Sequence, residues 1–254
     1  MSTVLSFAHV SAGYRHRPVL QGVSVAFAAG EVTGLVGPNG AGKTTLFRVA
    51  LRLLEAESGN VRLLDRPLSE WPAQSLARTL AYLPQEAEAH WPVEARRLVA
   101  LGRLPYRVRF APLNDADEQA INDAMARCDA VAFASRPVDQ LSAGERARVL
   151  LARALAVGAP VLLADEPAAH LDPAHQLRLM ELLRAEAARG TAVIVTLHDL
   201  SLASRFCDRL VVIDEGRVVA DAAAGEALTD DVLRSVFAVS ARRLENGTIP
   251  WRRI

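Results

Sequence analysis

Gly37-Pro38-Asn39-Gly40-Ala41-Gly42-Lys43-Thr44-Thr45 follows the apolar run Val32 to Val36 and leads into a stretch of helical character, Lys43 to about Leu54. Glycines at 37, 40 and 42 permit backbone conformations closed to other residues, so successive N–H groups can turn inward on phosphate oxygens. A helix starting at Lys43 adds its positive end. The spacing Gly-x-x-x-x-Gly-Lys-Thr between a strand and a helix is that of a nucleotide phosphate loop, in which Lys43 reaches the β- and γ-phosphates and the Thr44 hydroxyl ligates magnesium.

The rest of the chain supplies the sheet such a loop needs. Val161 to Asp165, Ala192 to Thr196 and Leu210 to Ile213 are nearly continuous apolar runs of strand length, separated by helical stretches such as Ala174 to Arg189. Continuous rather than alternating hydrophobicity implies strands covered on both faces, hence an α/β fold with a mostly parallel sheet. Val4 to Val10, Val19 to Phe27 and Val61 to Leu64 read as further strands near the N-terminus. From about Glu86 to Val157 the pattern changes to helical period, over Glu94 to Leu101, Asp115 to Cys128 and Ser142 to Val157. Asn246-Gly247 is turn chemistry between short mixed runs and predicts a terminal hairpin.

Asp165 and Glu166 end one of the buried strands. A carboxylate at 165 can hold magnesium, and one at 166 can orient and deprotonate a water for attack on a γ-phosphate. The loop and these acids still admit kinases, GTPases and many ATPases, although no Asn-Lys-x-Asp guanine-reading segment occurs. Leu141-Ser142-Ala143-Gly144-Glu145 narrows the field. Ser142 can cap a helix there, and with the Gly144 amide it makes a second anion site.

With that segment just before the strand ending in Asp165, the chain resembles the nucleotide-binding subunit of an ATP-binding cassette (ABC) transporter, from about Val4 to Phe237. The resemblance implies a P-loop core with an N-terminal antiparallel β-subdomain and a helical insertion. The expected partition of 1–254 is core at 1–86 and 158–238, helical subdomain at 87–157, and tail at 239–254. It also implies roles: Tyr14 stacks on adenine, Gln85 meets magnesium and the attacking water, and His198 contacts the γ-phosphate. Leu141 to Glu145 is the signature that binds the γ-phosphate held by an opposite subunit, and His170-Leu171-Asp172 crosses the dimer interface. Ala143 and Glu145 depart from the usual glycine and glutamine; Glu145 is expected to point away from the phosphates.

Two ATP molecules between two head-to-tail copies then follow, with motion passed to separate membrane permease subunits and, indirectly, to a substrate-binding protein. Leu101 to Arg107 and Leu171 to Gln176 resemble importers of iron chelates, haem and cobalamin, with ferric siderophore or haem the first reading and cobalamin the second. A soluble cassette ATPase of DNA repair, translation or iron–sulfur assembly is the alternative of another class. Arg103, Arg107 and Arg109 are the basic groups such a protein would turn to phosphates, and they are few. The 29 basic and 29 acidic residues balance, which argues against a nucleic-acid partner. No apolar stretch approaches the roughly 18 residues that cross a bilayer. Met1 to His9 lacks the pattern of an export leader. The two cysteines, Cys128 and Cys207, have no metal-type spacing and suit a reducing compartment. The expected place is the cytoplasmic face of the inner membrane, held peripherally by partners.

Overall fold

The computed structural model describes residues 2–15, 17–85, 92–107, 112–241 and 251–253. In chain order the elements are β1 (Thr3–Tyr14), β2 (Arg17–Ala28), β3 (Val32–Val36), α1 (Lys43–Ala50), β4 (Ser58–Leu63), β5 (Arg66–Pro67), α2 (Ala73–Thr79), β6 (Leu80–Leu83), α3 (Ala95–Ala100), α4 (Asp115–Arg127), α5 (Ala143–Leu155), β7 (Val161–Ala164), α6 (Pro173–Ala188), β8 (Ala192–Thr196), α7 (Leu200–Phe206), β9 (Arg209–Asp214), β10 (Arg217–Ala223), α8 (Ala224–Ala227), α9 (Asp230–Phe237), β11 (Val239–Ala241) and β12 (Trp251–Arg253).

A six-stranded sheet runs β10-β9-β3-β8-β7-β6, parallel except for β10 at one edge. Every residue of β3, β7 and β8 is buried, as their continuous apolar runs require. Side chains alternate between two cores on the two sheet faces. Val193 and Val195 of β8 join the core with α3, α4, α5 and α6, whereas Ala192 and Ile194 join the core with α1 and the N-terminal strands. The four-stranded antiparallel sheet β2-β1-β4-β5 covers that second face through Leu5, Phe7, Leu20 and Phe27. Burial of this kind is worth roughly 1.5–3 kcal/mol per large apolar side chain.

Some boundaries move for local reasons. The first helix stops at Ala50 instead of Leu54, because Arg52 turns left-handed (φ 56°) and the Leu53 and Leu54 amides close back on the Arg48 carbonyl. Leu64 leaves the strand expected to contain it, since Leu64 and Asp65 (φ 48° and 59°) make the turn into β5. The helix expected to reach Leu101 passes into a 3₁₀ segment, Leu101–Tyr106, that holds Pro105. β10 had no counterpart in the sequence reading; it folds back on β9 through Glu215 and Gly216 (φ 44° and 77°), the positive pair a tight hairpin needs. β11 and β12 pair antiparallel, Val239 opposite Arg253, while Asn246-Gly247 lies outside the described residues.

Cys128 and Cys207 are free and buried, and burial pushes both thiols up to about 12. Arg103 is spoken for as well: its Nε donates to Asp117 Oδ1 at 2.9 Å and its Nη1 to the Ala156 carbonyl at 2.8 Å, with 10% of its side chain exposed. It therefore offers no surface to a phosphate backbone. Arg109 lies outside the described residues.

Candidate active site

β3, β6, β7 and β8 are parallel, so their C-terminal ends meet along one edge of the sheet, where α/β proteins place their ligands. From these ends come the phosphate loop, Gln85, Asp165 with Glu166, and His198. Gly37 (φ 154°) and Gly42 (φ 112°) carry the loop where a side chain cannot follow: a Cβ at 37 would run into the Ile213 carbonyl oxygen. Gly42 is also the N-cap of α1 and offers no side-chain cap, unlike Asn114, Ser142, Asp172 and Asp199 at α4, α5, α6 and α7. The first turn of α1 is thus left to an external acceptor.

Lys43 is buried inside the loop, where its Nζ donates to the carbonyls of Gly37 (2.7 Å) and Pro38 (3.0 Å). Burial lowers its pKa, and the facing Glu166 and Asp165 charges oppose that shift. A cleft of about 660 Å³ opens over the loop, lined by Asn39, Gly40, Gly42, Lys43, Thr44 and Thr45 with Glu166 opposite and Tyr14 at the rim. The Tyr14 ring, partly exposed, is fixed by Arg48: Nη1 donates to its hydroxyl at 2.8 Å and the guanidinium carbon stands 5.8 Å from the ring centroid. Arg17, Pro18, Val19, Gln21 and Glu215 also line the cleft. Sequence reasoning missed them because β2 and the β9–β10 turn meet the loop only in three dimensions.

Asp165 is buried, with Thr196 Oγ1 donating to Oδ1 at 2.7 Å and the Tyr82 hydroxyl donating to Oδ2 at 3.3 Å. Burial, with Asp165 beside it, pushes the Tyr82 phenol up to about 12. Thr196 Oγ1 also accepts from the Glu166 amide at 2.7 Å. One hydroxyl therefore orders two successive acids, the second at φ 48°. Thr196 was read only as the end of a strand; a polar residue at the last position of a buried run was the available signal. The Glu166 carboxylate accepts from Gln85 Nε2 at 2.6 Å on one oxygen and pairs with His198 Nε2 on the other. Gln85, Glu166 and His198, picked separately in sequence, form one constellation.

Ser142, Gly144 and Asp172 do not join the cleft. Ser142 accepts from the Glu145 amide at 3.2 Å while the Glu145 carboxylate accepts from the Ser142 amide at 2.9 Å, a reciprocal cap on α5. Glu145 also takes the Arg136 guanidinium at 2.9 Å, so its charge is spent on the cap and on Arg136; these contacts, led by the Ser142 amide, hold its carboxyl below the ordinary value. Asp172 caps α6 through the His175 amide.

A glycine-rich loop at the carboxyl edge of a parallel sheet, with Lys43 inside it and two successive acids facing it, defines a P-loop nucleotide-binding protein. Residues 20–169 match the ABC transporter family, and the chain belongs to that family as one of its ATPases. It is 47% identical over 221 residues to the hemin import ATP-binding protein HmuV of Rhodococcus jostii, covering 87% of this chain and 75% of that one. The iron(3+)-hydroxamate import ATP-binding protein FhuC of Bacillus subtilis is 35% identical, covering 93% and 88%. Among solved structures, cbiO1 of Clostridium perfringens, part of the transporter complex cbiONQ, superposes with a TM-score of 0.80 at 26% identity, covering 89% and 90%. The expected fold, ATPase class and iron-chelate, haem and cobalamin importer subfamily are borne out.

Proposed function

We propose that this chain is the ATP-hydrolysing subunit of an importer for haem or a ferric chelate, and that it turns over ATP only as a head-to-tail pair with a second copy. The separation of Ser142 and Gly144 from the cleft carries this reading. A helix start with an anion site and no phosphate of its own receives one when two copies face each other. In each site Gly37 to Thr45 cradle the phosphates, Pro38, Asn39 and Ala41 among them, with Lys43 moving its ammonium from loop carbonyls to the β- and γ-oxygens. Tyr14 stacks on the adenine. Glu166 takes the proton as water attacks the γ-phosphorus and the bond to ADP breaks; Gln85 and His198, its partners here, orient the water and the γ-phosphate. Ser142, Gly144 and Asp172 complete the site of the other copy.

Thr44 Oγ1, an Asp165 oxygen and the Gln85 amide oxygen are hard donors that suit magnesium. When bound, magnesium neutralises the charge building on the β- and γ-phosphates.

The helical segment 87–157, inserted between 1–86 and 158–238, passes the motion to separate permease subunits beside Gln85, and a binding protein delivers cargo to these; 239–254 forms a tail. No helix among the described residues is long and apolar enough to cross a membrane, which fits a peripheral place on the cytoplasmic face. Haem ranks first because of the likeness to HmuV; the 42% likeness to the cobalamin import ATP-binding protein BtuD of Halobacterium salinarum, covering 86% of this chain and 55% of that one, supports a second reading. Uptake of haem, ferric hydroxamate and cobalamin, measured in cells with and without this gene, distinguishes them. For the ATPase itself, Glu166→Gln should keep ATP binding, slow turnover roughly 100- to 10,000-fold and trap a dimer on chromatography with ATP and magnesium. A monomeric variant with normal turnover would remove Glu166 from the mechanism.

A further inference from the structure

The stretch Leu171 to Gln176 drew notice in sequence for its likeness to one group of importers, and its first two residues for a place at the dimer interface. In the fold it ties two surfaces together. Asp172 accepts from the His175 amide at 3.0 Å with one oxygen and engages His175 Nδ1 at 2.7 Å with the other. Those contacts, the amide first, hold the Asp172 carboxyl below its ordinary value. The imidazole so clamped lies against Gly144: a Cβ at 144 would overlap the ring at Cγ, Cδ2 and Nε2. Gly144 is absent from the residues of positive φ, so the ring, and no special backbone conformation, keeps a side chain out. From the other side Gln176 Nε2 donates to the Ala168 carbonyl at 3.2 Å, bracing a turn that passes through His170 at φ 62°.

We infer that His175 is a positioning residue for the shared ATP site: its ring, held by Asp172, fixes the signature end of α5 against the turn Ala168 to Asp172. The two surfaces that one copy offers to the nucleotide of the other then arrive in register. This rests on the shared-site reading above. A small displacement at such a site is costly because the phosphate donors must stand within hydrogen-bond reach at closure.

The test uses the full chain carrying Glu166→Gln and reads the ATP concentration at which half the protein is dimeric. Adding His175→Ala should raise that concentration roughly 3- to 30-fold, the span typical of residues that couple sites without touching the ligand. Binding of a fluorescent ATP analogue to the monomer and the unfolding temperature should not move, which separates positioning from a general structural defect. His175→Asn, whose amide nitrogen can engage Asp172 as Nδ1 does, should recover part of the loss. Gly144→Ala should cost more with His175 present than in the His175→Ala background, where the ring no longer blocks the methyl. Dimerisation of His175→Ala at the parent's ATP concentration, or an equal cost of Gly144→Ala in the two backgrounds, overturns the inference. Ser142→Arg run alongside identifies what has failed: if it blocks dimers while His175→Ala does not, only the role of His175 falls, and if it also dimerises normally, the shared site falls first.

Discussion

Thr196→Val is a nearly isosteric change that deletes one hydroxyl at the end of β8. That hydroxyl is fully buried (0% exposed), donates to Asp165 Oδ1 at 2.7 Å and accepts from the Glu166 amide at 2.7 Å. A hydrogen bond to a charged group is worth about 1.5–3 kcal/mol, and a buried donor left unsatisfied costs about 1–3 kcal/mol. Loss of both contributions gives a destabilisation of roughly 2.5–6 kcal/mol, with the lower half expected because the Glu166 amide is only part-buried. Thr196→Ser keeps the oxygen and forfeits a methyl, about 0.8 kcal/mol. Urea unfolding of the two variants and the parent measures this, and a common slope identifies the change as one of stability. ATPase assays should order the proteins the same way, since Glu166 sits at a left-handed φ of 48° and relies on its amide contact to stay there. A valine variant within about 0.5 kcal/mol of the parent, with equal turnover, would refute the view that Thr196 orders the two acids, because surface-like changes fall in that range.

Tyr82 should be the late phenol in an ultraviolet titration, ionising near pH 12 against an ordinary 10.0, with that phase absent from Tyr82→Phe. Its folded pKa is raised, so its stabilising contribution is intact below about pH 10 and is lost as pH climbs through about 12, and unfolding of the parent should weaken over that window relative to the variant. Glu145→Gln retains a capping side chain and loses the charge that meets Arg136. Because the folded carboxyl lies below its ordinary 4.5, its contribution is present above that value and lost as pH falls. Stability measured at pH 7 should drop by under about 1 kcal/mol, as for other solvent-reached pairs, and the gap to the parent should close in acid.

The central sheet was legible because β3, β7 and β8 are buried at every residue, which forces unbroken apolar runs that no solvent-facing strand shows. The phosphate loop was legible for a similar reason: the Ile213 carbonyl admits only glycine at 37, and chemistry fixes Lys43 and Thr44 six and seven residues on. β10 was not, since its residues alternate between exposed and half-buried at a sheet edge and carry no continuous pattern. Sequence could nominate Gln85, Glu166 and His198 only one at a time; their meeting depends on the order β8-β7-β6, which no local stretch encodes. Thr196 and His175 escaped because each acts through a neighbour brought from another element: Asp165 and Glu166 for the one, Gly144 for the other. Glu145 was expected to point away from the phosphates, but sequence could not say what takes up its charge: its own cap and Arg136 do.

A mixed dimer asks most directly whether two chains share each site. On the proposed shared site, Ser142→Arg places a bulky cation where the γ-phosphate of the other chain would dock, and Lys43→Ala removes the ammonium that the loop holds at Gly37 and Pro38. Each variant alone should be inactive. Crosslinked together, they form one site carrying the two lesions and one carrying neither. Restored ATP hydrolysis in a single-turnover experiment, about one phosphate released per heterodimer, is the expected result, as for any residues that act as one unit across chains. A heterodimer that releases no phosphate in that first turnover would contradict the head-to-tail site.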